Sequence, residues 1–413
     1  MTPRPYQLVG RDFLASRRHA LLADGMRVGK TPQAILAAQA VGARRILVVC
    51  PAIATEQWRR EWLTWADRDA TILDRGTWNA LGPVIASFNR ATAMRDVLAE
   101  RRWDLVIVDE AHFAKNPEAQ RTKAVYGKQG FAHNAERVWA LSGTPAPKHA
   151  AELWPMLYTF GATRLSYSEF VARYCRTDAL GKILGTSEAM IPELKETYAP
   201  FTLRRTRKDV APDMPDIDFQ MLAVRPENEA DYSVPAGLDG EALIAWLEAH
   251  RTEQAETRQE VAMAKATPLY EEVLEAFDGG LLTQTVIFGY HIAPMEHIAA
   301  ELKKAGLTAA LLNGKTSQSE RVRIQDEFRA GRVQVVLANI IAAGTAIDLS
   351  AARHAYFLEL DWVPGNNAQA ASRLVNMEKD DKVSCDVVSW PGSHDDVVQR
   401  VLARRVAELS QLF

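Results

Sequence analysis

A chain of 413 residues, 47% apolar and 24% charged, is long enough for two domains with separate cores and is ordinary for a soluble globular protein. Three scattered cysteines, Cys50, Cys175 and Cys385, lie outside any His/Cys cluster and argue against a disulfide framework or a zinc site. The net charge of −3 hides an asymmetry: residues 1–215 carry 31 basic and 22 acidic side chains, and residues 216–413 carry 18 and 30.

The start MTPRPYQLVG lacks the apolar run of a signal peptide, and no stretch approaches the ~18 apolar residues of a membrane span. A cytoplasmic chain with no membrane partner is expected. A polyanion is drawn mainly to the first half. The most acidic stretch, Asp216 to Asp278, holds 15 acidic and 4 basic residues. It either keeps a polyanion away or is a solvated helical face.

Through the first half, RRILVVCP (Arg44–Pro51), WDLVIVDE (Trp103–Glu110) and RVWALSGTP (Arg137–Pro145) read as buried strands of a parallel sheet. PQAILAAQAV and ATEQWRREWLTWA between them have helical spacing, so the pattern is α/β and doubly wound. Trp58, Trp62 and Trp65 recur at that spacing and are expected to pack the helix rather than stack on bases. Residues from about Tyr167 to Asp216 read as irregular, and Glu241–Phe277 as a charged helix. A second alternation follows: strand QTVIFGY, a helix over Ala293–Ala305, strand LTAALLNG, a helix over Ser317–Arg329, then strands VQVVLAN, HAYFLEL and KVSCDVVSW. The expected division is 1–215, 216–280 (an acidic helical linker or the start of the second domain) and 281–413.

LLADGMRVGKTPQ (Leu21–Gln33) is a variant phosphate-binding loop. In that pattern backbone N–H groups wrap phosphates ahead of Gly-Lys-Ser/Thr at a helix start. Gly29 lets the backbone approach, Lys30 pairs with β/γ oxygens, and the Thr31 hydroxyl ligates Mg²⁺. Asp24 stands where the strictest pattern has its first glycine. In LVIVDEAH an apolar strand ends in Asp109 and Glu110. Asp109 is suited to hold Mg²⁺ through water and Glu110 to orient the attacking water. The two halves together point to nucleotide hydrolysis.

At these residues the sequence resembles the superfamily-two helicase-like ATPases, and within them the Swi/Snf-type double-stranded DNA translocases. DGMRVGKT is similar to the family's DEMGLGKT, with Arg27 in place of a glycine. DEAHFAKNPEAQRTKAV is similar to DEAHxxKNxxSxxxKA, ALSGTPAPKHAAELWPML to LTGTPxxNxxxELWxLL, and FTLRRTRKDVAPDMP to LRRTKxDVxxxLP. In the second half ALLNGKTSQSERVRIQDEF and IAAGTAIDLSAARHAYFLELDWVPGNNAQAASR carry the resemblance on, so it covers nearly the whole chain.

The resemblance implies two RecA-like lobes with an ATP cleft between them. Gln7 would read the adenine edge, and Lys30, Thr31, Asp109 and Glu110 would serve the phosphates and Mg²⁺. Arg373, after Gln369, would approach the γ-phosphate from the second lobe, and Ser142 and Thr144 would couple hydrolysis to DNA. Lys115, Asn116, Lys315 and Thr316 are donors suited to DNA phosphates, although Lys315 reads equally as a solvated loop lysine. Trp362 reads as lobe packing or as a DNA contact. LRRTRK (Leu203–Lys208) reads as the passage between lobes, one arginine anchoring it, or as a DNA-attracting patch.

The implied function is an ATP-dependent translocase on double-stranded or branched DNA, acting as a monomer in a bacterial or virus-infected cell. A strand-separating helicase and a weakly hydrolysing ATP-gated clamp are the alternatives. Two departures stand out. Arg27 either leans on a phosphate or points outward. The family's last motif, QAxxRxxR, here has Asn376 in place of its second arginine. An arginine aimed at the transferring phosphoryl group is worth roughly 10³–10⁵ in rate, so Arg373 alone, or Lys379, would have to serve.

Overall fold

Apolar runs of four to seven residues, rich in Val, Ile and Leu, become strands buried on both faces, as parallel sheets require. The structure is a computed structural model that describes residues 2–73, 82–210, 217–226, 246, 250–344, 347–376 and 382–412. The chain divides into two compact units, Met1–Pro212 with Glu408–Phe413, and Asp213–Ala407.

The first unit is built on β1 (His19–Leu22), β2 (Ile46–Cys50), β3 (Thr71–Ile72), β4 (Val84–Ser87), β5 (Trp103–Asp109), β6 (Ala135–Leu141) and β9 (Thr202–Leu203), with a hairpin of β7 (Cys175–Thr177) and β8 (Ile183–Thr186) apart from the sheet. The sheet order is β3-β4-β2-β5-β6-β1-β9, every pair parallel. Leu22 pairs with Leu141, and Leu141 with Asp109, so β1, β6 and β5 end side by side. The loops that follow them therefore start from one line, the usual ligand edge of an open α/β sheet.

Around this sheet lie α1 (Pro5–Ala15), α2 (Lys30–Ala40) and α3 (Thr55–Ala66). Trp58 and Trp62 are buried in the core, as their spacing implies. The stretch expected to be irregular instead holds a helix over Tyr167–Tyr174 and another over Ile191–Tyr198. Ser166 caps the first: its Oγ accepts from the Glu169 N–H at 3.3 Å, and Glu169 Oε2 accepts from the Ser166 N–H at 2.8 Å. That capping box is visible in SYSE.

In the second unit β10 (Ile217–Ala223), β11 (Thr285–Gly289), β12 (Ala309–Leu312), β13 (Val335–Asn339), β14 (His354–Phe357) and β15 (Val383–Ser389) form a parallel sheet of order β10-β15-β14-β11-β13-β12. Residues 217–223 thus belong to this sheet and are not part of a linker. The expected helix over Glu241–Phe277 is seen as Arg251–Asp278; residues 241–245 and 247–249 lie outside the described residues.

That helix is fastened by charge as well as by its apolar side. Lys265 is 1% exposed, and its ammonium donates to the carbonyls of Leu358 at 2.6 Å and Val388 at 2.9 Å and pairs with Asp395 Oδ2 at 2.8 Å. Arg258 donates to the Leu360 carbonyl and lies 5.0 Å from the Tyr290 ring and 5.1 Å from that of Trp362. Trp362 also meets the His394 ring edge-on, so it packs the second unit. Among the described residues no helix is long and apolar enough to cross a membrane.

Removing the Lys265 ammonium strands a carboxylate and two carbonyls in a low-dielectric site. Lys265→Ala is expected to cost about 3–5 kcal/mol of stability, read from the urea unfolding midpoint. A loss below about 1 kcal/mol would show that water replaces the ammonium.

Candidate nucleotide site and its surroundings

The loop after β1 turns into α2 through Gly29, whose φ of 76° lies in the left-handed region. A Cβ there would also come within 2.7 Å of Gln7 Nε2, the movable end of its side chain, so the backbone angle is the main demand for glycine. Arg27, where the related motif has glycine, also has positive φ, at 62°. Such a backbone costs a non-glycine residue about 1–3 kcal/mol. Lys30 opens α2, and its ammonium donates to the loop carbonyls of Asp24 at 3.0 Å and Gly25 at 3.1 Å. Thr31 follows at the second helical position. Pro32, at the third, is tolerated because an N–H in that turn would have no intrahelical acceptor.

Gln7 sits in the first turn of α1, its Oε1 accepting from the Arg4 N–H at 2.8 Å. Asp24 is fully buried and salt-bridged to Arg205, in the LRRTRK stretch, whose Nε reaches Asp24 Oδ1 at 3.0 Å. The aspartate in the first-glycine position is thus a structural anion neutralised from beneath the loop. Residue chemistry in the sequence leaves this partner open, because 181 residues separate the pair.

Asp109 ends β5. The Trp58 indole N–H donates to its Oδ2 at 2.7 Å, and the Glu110 N–H donates to its Oδ1 at 3.0 Å. Burial, then the neighbouring Glu110 charge, push its carboxyl up to about 6 against the pull of Trp58 and Lys30. Glu110 itself holds a left-handed backbone, φ 47°, a strain typical of functional positions. His112 Nδ1 lies 3.0 Å from Ser142 Oγ and 3.3 Å from Glu110 Oε2. Burial, with Lys115 and Lys30 nearby, lowers the His112 pKa to about 3, which favours the neutral ring. Ser142 is fully buried and its Oγ also accepts from the Thr144 N–H at 3.2 Å. Ser142, bonded to the Thr144 N–H, and Glu110 thus both lie against the His112 ring.

The four candidate DNA donors fare differently. The Lys115 ammonium is 2.7 Å from Glu152 Oε1, whose side chain is only 7% exposed, and Glu152 Oε2 accepts from the Lys148 N–H. Lys115 is thus committed to a buried carboxylate before any phosphate approaches, a role its sequence context does not reveal. Asn116 Oδ1 accepts from the Glu118 N–H at 3.0 Å in a turn, on an exposed residue.

In the second unit Lys315 is exposed, while the Thr316 hydroxyl closes the Asn313–Thr316 turn by accepting from the Asn313 N–H at 2.9 Å. Buried Arg321 supports that turn, donating to the carbonyls of Asn313 and Thr316 and to that of Ala342. Arg373 donates to the Gly344 carbonyl within its own unit, and Gln369 packs close to Gly344. Asn376 donates to Ser350 Oγ at 2.8 Å. Lys379 lies outside the described residues.

A magnesium nucleotide suits the first-unit set. Lys30 rests on loop carbonyls that polyphosphate oxygens outmatch as acceptors, Gly29 leaves the cradle open, and Asp109 with Thr31 offers the oxygen ligands that Mg²⁺ takes.

Comparison with known proteins agrees with this chemistry. The SNF2-related domain matches residues 6–233, and the helicase conserved C-terminal domain matches residues 269–377. The SWI/SNF-related matrix-associated actin-dependent regulator of chromatin subfamily A-like protein 1 of Xenopus tropicalis is 27% identical over 98% of this chain and 44% of its own length. The DNA annealing helicase and endonuclease ZRANB3 of Bos taurus is 23% identical over 97% of this chain and 40% of its own. The chain thus spans less than half the length of these two relatives. The Sulfolobus solfataricus SWI2/SNF2 ATPase core in complex with dsDNA is 22% identical over 99% of this chain and 92% of its own, with a TM-score of 0.48.

If Lys115 is tied to Glu152, a double-mutant cycle with Lys115→Ala and Glu152→Ala should return a coupling of about 1–3 kcal/mol in urea unfolding. A coupling near zero would free Lys115 for a ligand.

Proposed function

The chain belongs to the SNF2-related family of helicase-like ATPases, and on that premise we propose that it hydrolyses ATP with Mg²⁺ to move along double-stranded or branched DNA. The observation that carries the reading is the common end of β1, β5 and β6, with Lys30, Asp109, Glu110 and Ser142 on the three loops that leave it.

In this reading Lys30 exchanges its two carbonyl acceptors for β- and γ-phosphate oxygens, and Gln7 faces the adenine. Thr31 and Asp109 would hold Mg²⁺, which when bound would offset the phosphate charge. Glu110 orients a water toward the γ-phosphorus. The new P–O bond forms as the bond to the β–γ bridging oxygen breaks, and the water's proton leaves through the carboxylate. His112 and Ser142 hold Glu110 and register its position on the segment Ser142–Thr144. Arg373 exchanges the Gly344 carbonyl for a phosphate oxygen. Asn116, Lys315 and Thr316 face the DNA backbone, with sequence-independent and salt-sensitive binding. That a relative, ZRANB3, is named a DNA annealing helicase and endonuclease supports DNA as the partner.

Asn376 favours one second reading, a weakly hydrolysing ATP-gated clamp, because an amide bound to Ser350 cannot supply an arginine's charge. Phosphate release measured across single-stranded, duplex and branched DNA tests both. DNA-stimulated turnover is expected, and zero turnover with every DNA would defeat the translocase reading. Glu110→Gln should lower kcat by about 10²–10⁴ with nucleotide affinity retained. Asn376→Arg should raise DNA-stimulated kcat by about tenfold or more; no increase would mean that Arg373 suffices.

A further inference from the structure

The guanidinium of Arg205 touches three separate segments that border the nucleotide loop. Its Nε donates to Asp24 Oδ1 at 3.0 Å and its Nη2 to Asp24 Oδ2, beneath the loop. Nη1 donates to the Tyr6 carbonyl at 2.7 Å, one residue before Gln7. Nη2 also donates to Gln33 Oε1 at 2.8 Å, and the Gln33 amide passes the contact on to Asp24 Oδ2 at 3.2 Å and to the Gly29 carbonyl at 3.1 Å. The backbone repeats the tie: the Gly25 N–H donates to the Arg205 carbonyl at 2.9 Å, and the Ala23 N–H to that of Leu203 at 2.7 Å.

The arrangement is dry and close. The Arg205 side chain is 14% exposed and that of Asp24 is not exposed at all. α1 crosses α2 at Gly10, where a Cβ would overlap Gln33 Oε1. The planar fork of an arginine reaches acceptors on three segments in fixed directions, a span that the compact ammonium of a lysine does not match.

We infer that Arg205 is a positioning residue for the nucleotide. It holds the adenine-facing turn of α1 and the phosphate loop in one frame, from the segment through which the chain leaves the first unit. Its loss moves Gln7 relative to Gly29 and Lys30, so that discrimination between bases suffers along with affinity. A clamp that served only stability would weaken all nucleotides alike. The inference rests on the reading that Gln7 faces adenine.

The test uses the full chain and two probes, mant-ATP and mant-GTP, with thermal unfolding recorded for every variant. Arg205→Lys should stay folded, weaken mant-ATP by about tenfold and change mant-GTP by less than about threefold, shrinking the preference for ATP. Asp24→Asn, which removes the buried charge but keeps the shape, should shrink it in the same direction and serves if Arg205→Lys does not fold. Gln7→Ala separates the two ideas. If Gln7→Ala erases the preference while Arg205→Lys and Asp24→Asn keep it, the inference is overturned and the adenine reading survives. If Gln7→Ala leaves the preference intact, the adenine reading fails and the inference, which rests on it, fails with it. Equal weakening of both nucleotides in step with Tm makes Arg205 a structural clamp and overturns the inference.

Discussion

The alignment of β1, β6 and β5 is the constraint on which the first unit depends. Parallel strands buried on both faces leave no room for polar side chains along their length, so chemistry can gather only where they end. Because Leu22, Leu141 and Asp109 are paired in register, three loops begin at one level. A slip of one residue in any of the three would turn Asp109 into the core or withdraw Ser142 from His112. The site is thus a consequence of pairing, and its residues come from segments that are far apart in the chain.

Several buried charges in the two units are matched, and each of these matches joins two segments. Asp24 is joined to Arg205, Glu152 to Lys115 and Lys265 to Asp395. In Glu359, burial works to raise the carboxyl pKa and is outweighed by the hydrogen bonds from His291, so the group stays below its ordinary value. Such pairs add little net stability over apolar residues of the same size, yet they are costly to break singly. Their effect is to fix geometry. The loop at Asp24 cannot drift from the segment carrying Arg205 without baring a carboxylate in a dry interior.

The parts of this fold that were legible in the sequence share a local signal. Continuous apolar runs mark β2, β5, β6, β11 and β13, and Gly-Lys-Thr and Asp-Glu-Ala-His mark their loops by residue type and order. What was not legible depends on long-range pairing. Nothing in Lys115-Asn116 separates a phosphate donor from a partner of Glu152, since both need an exposed-looking lysine in a loop. The capping box at Ser166 was readable and shows that a charged, apolar-poor segment can still be helical. Arg205 carried half a signal: an arginine pair before the first unit ends implies an anchor, but the anion it meets is found only in three dimensions.

The same contrast bears on Asn376. Arg373 and Asn376 are both engaged inside the second unit, one on the Gly344 carbonyl and one on the Ser350 hydroxyl. An arginine bonded to a neutral carbonyl can be drawn away by a phosphate, because an anionic acceptor adds charge attraction and bidentate geometry that a lone carbonyl does not offer. An amide gains no such advantage on leaving a hydroxyl. The two positions therefore differ in what an anion offers them: Arg373 gains by exchanging its carbonyl for an anionic acceptor, whereas Asn376 gains nothing by leaving Ser350.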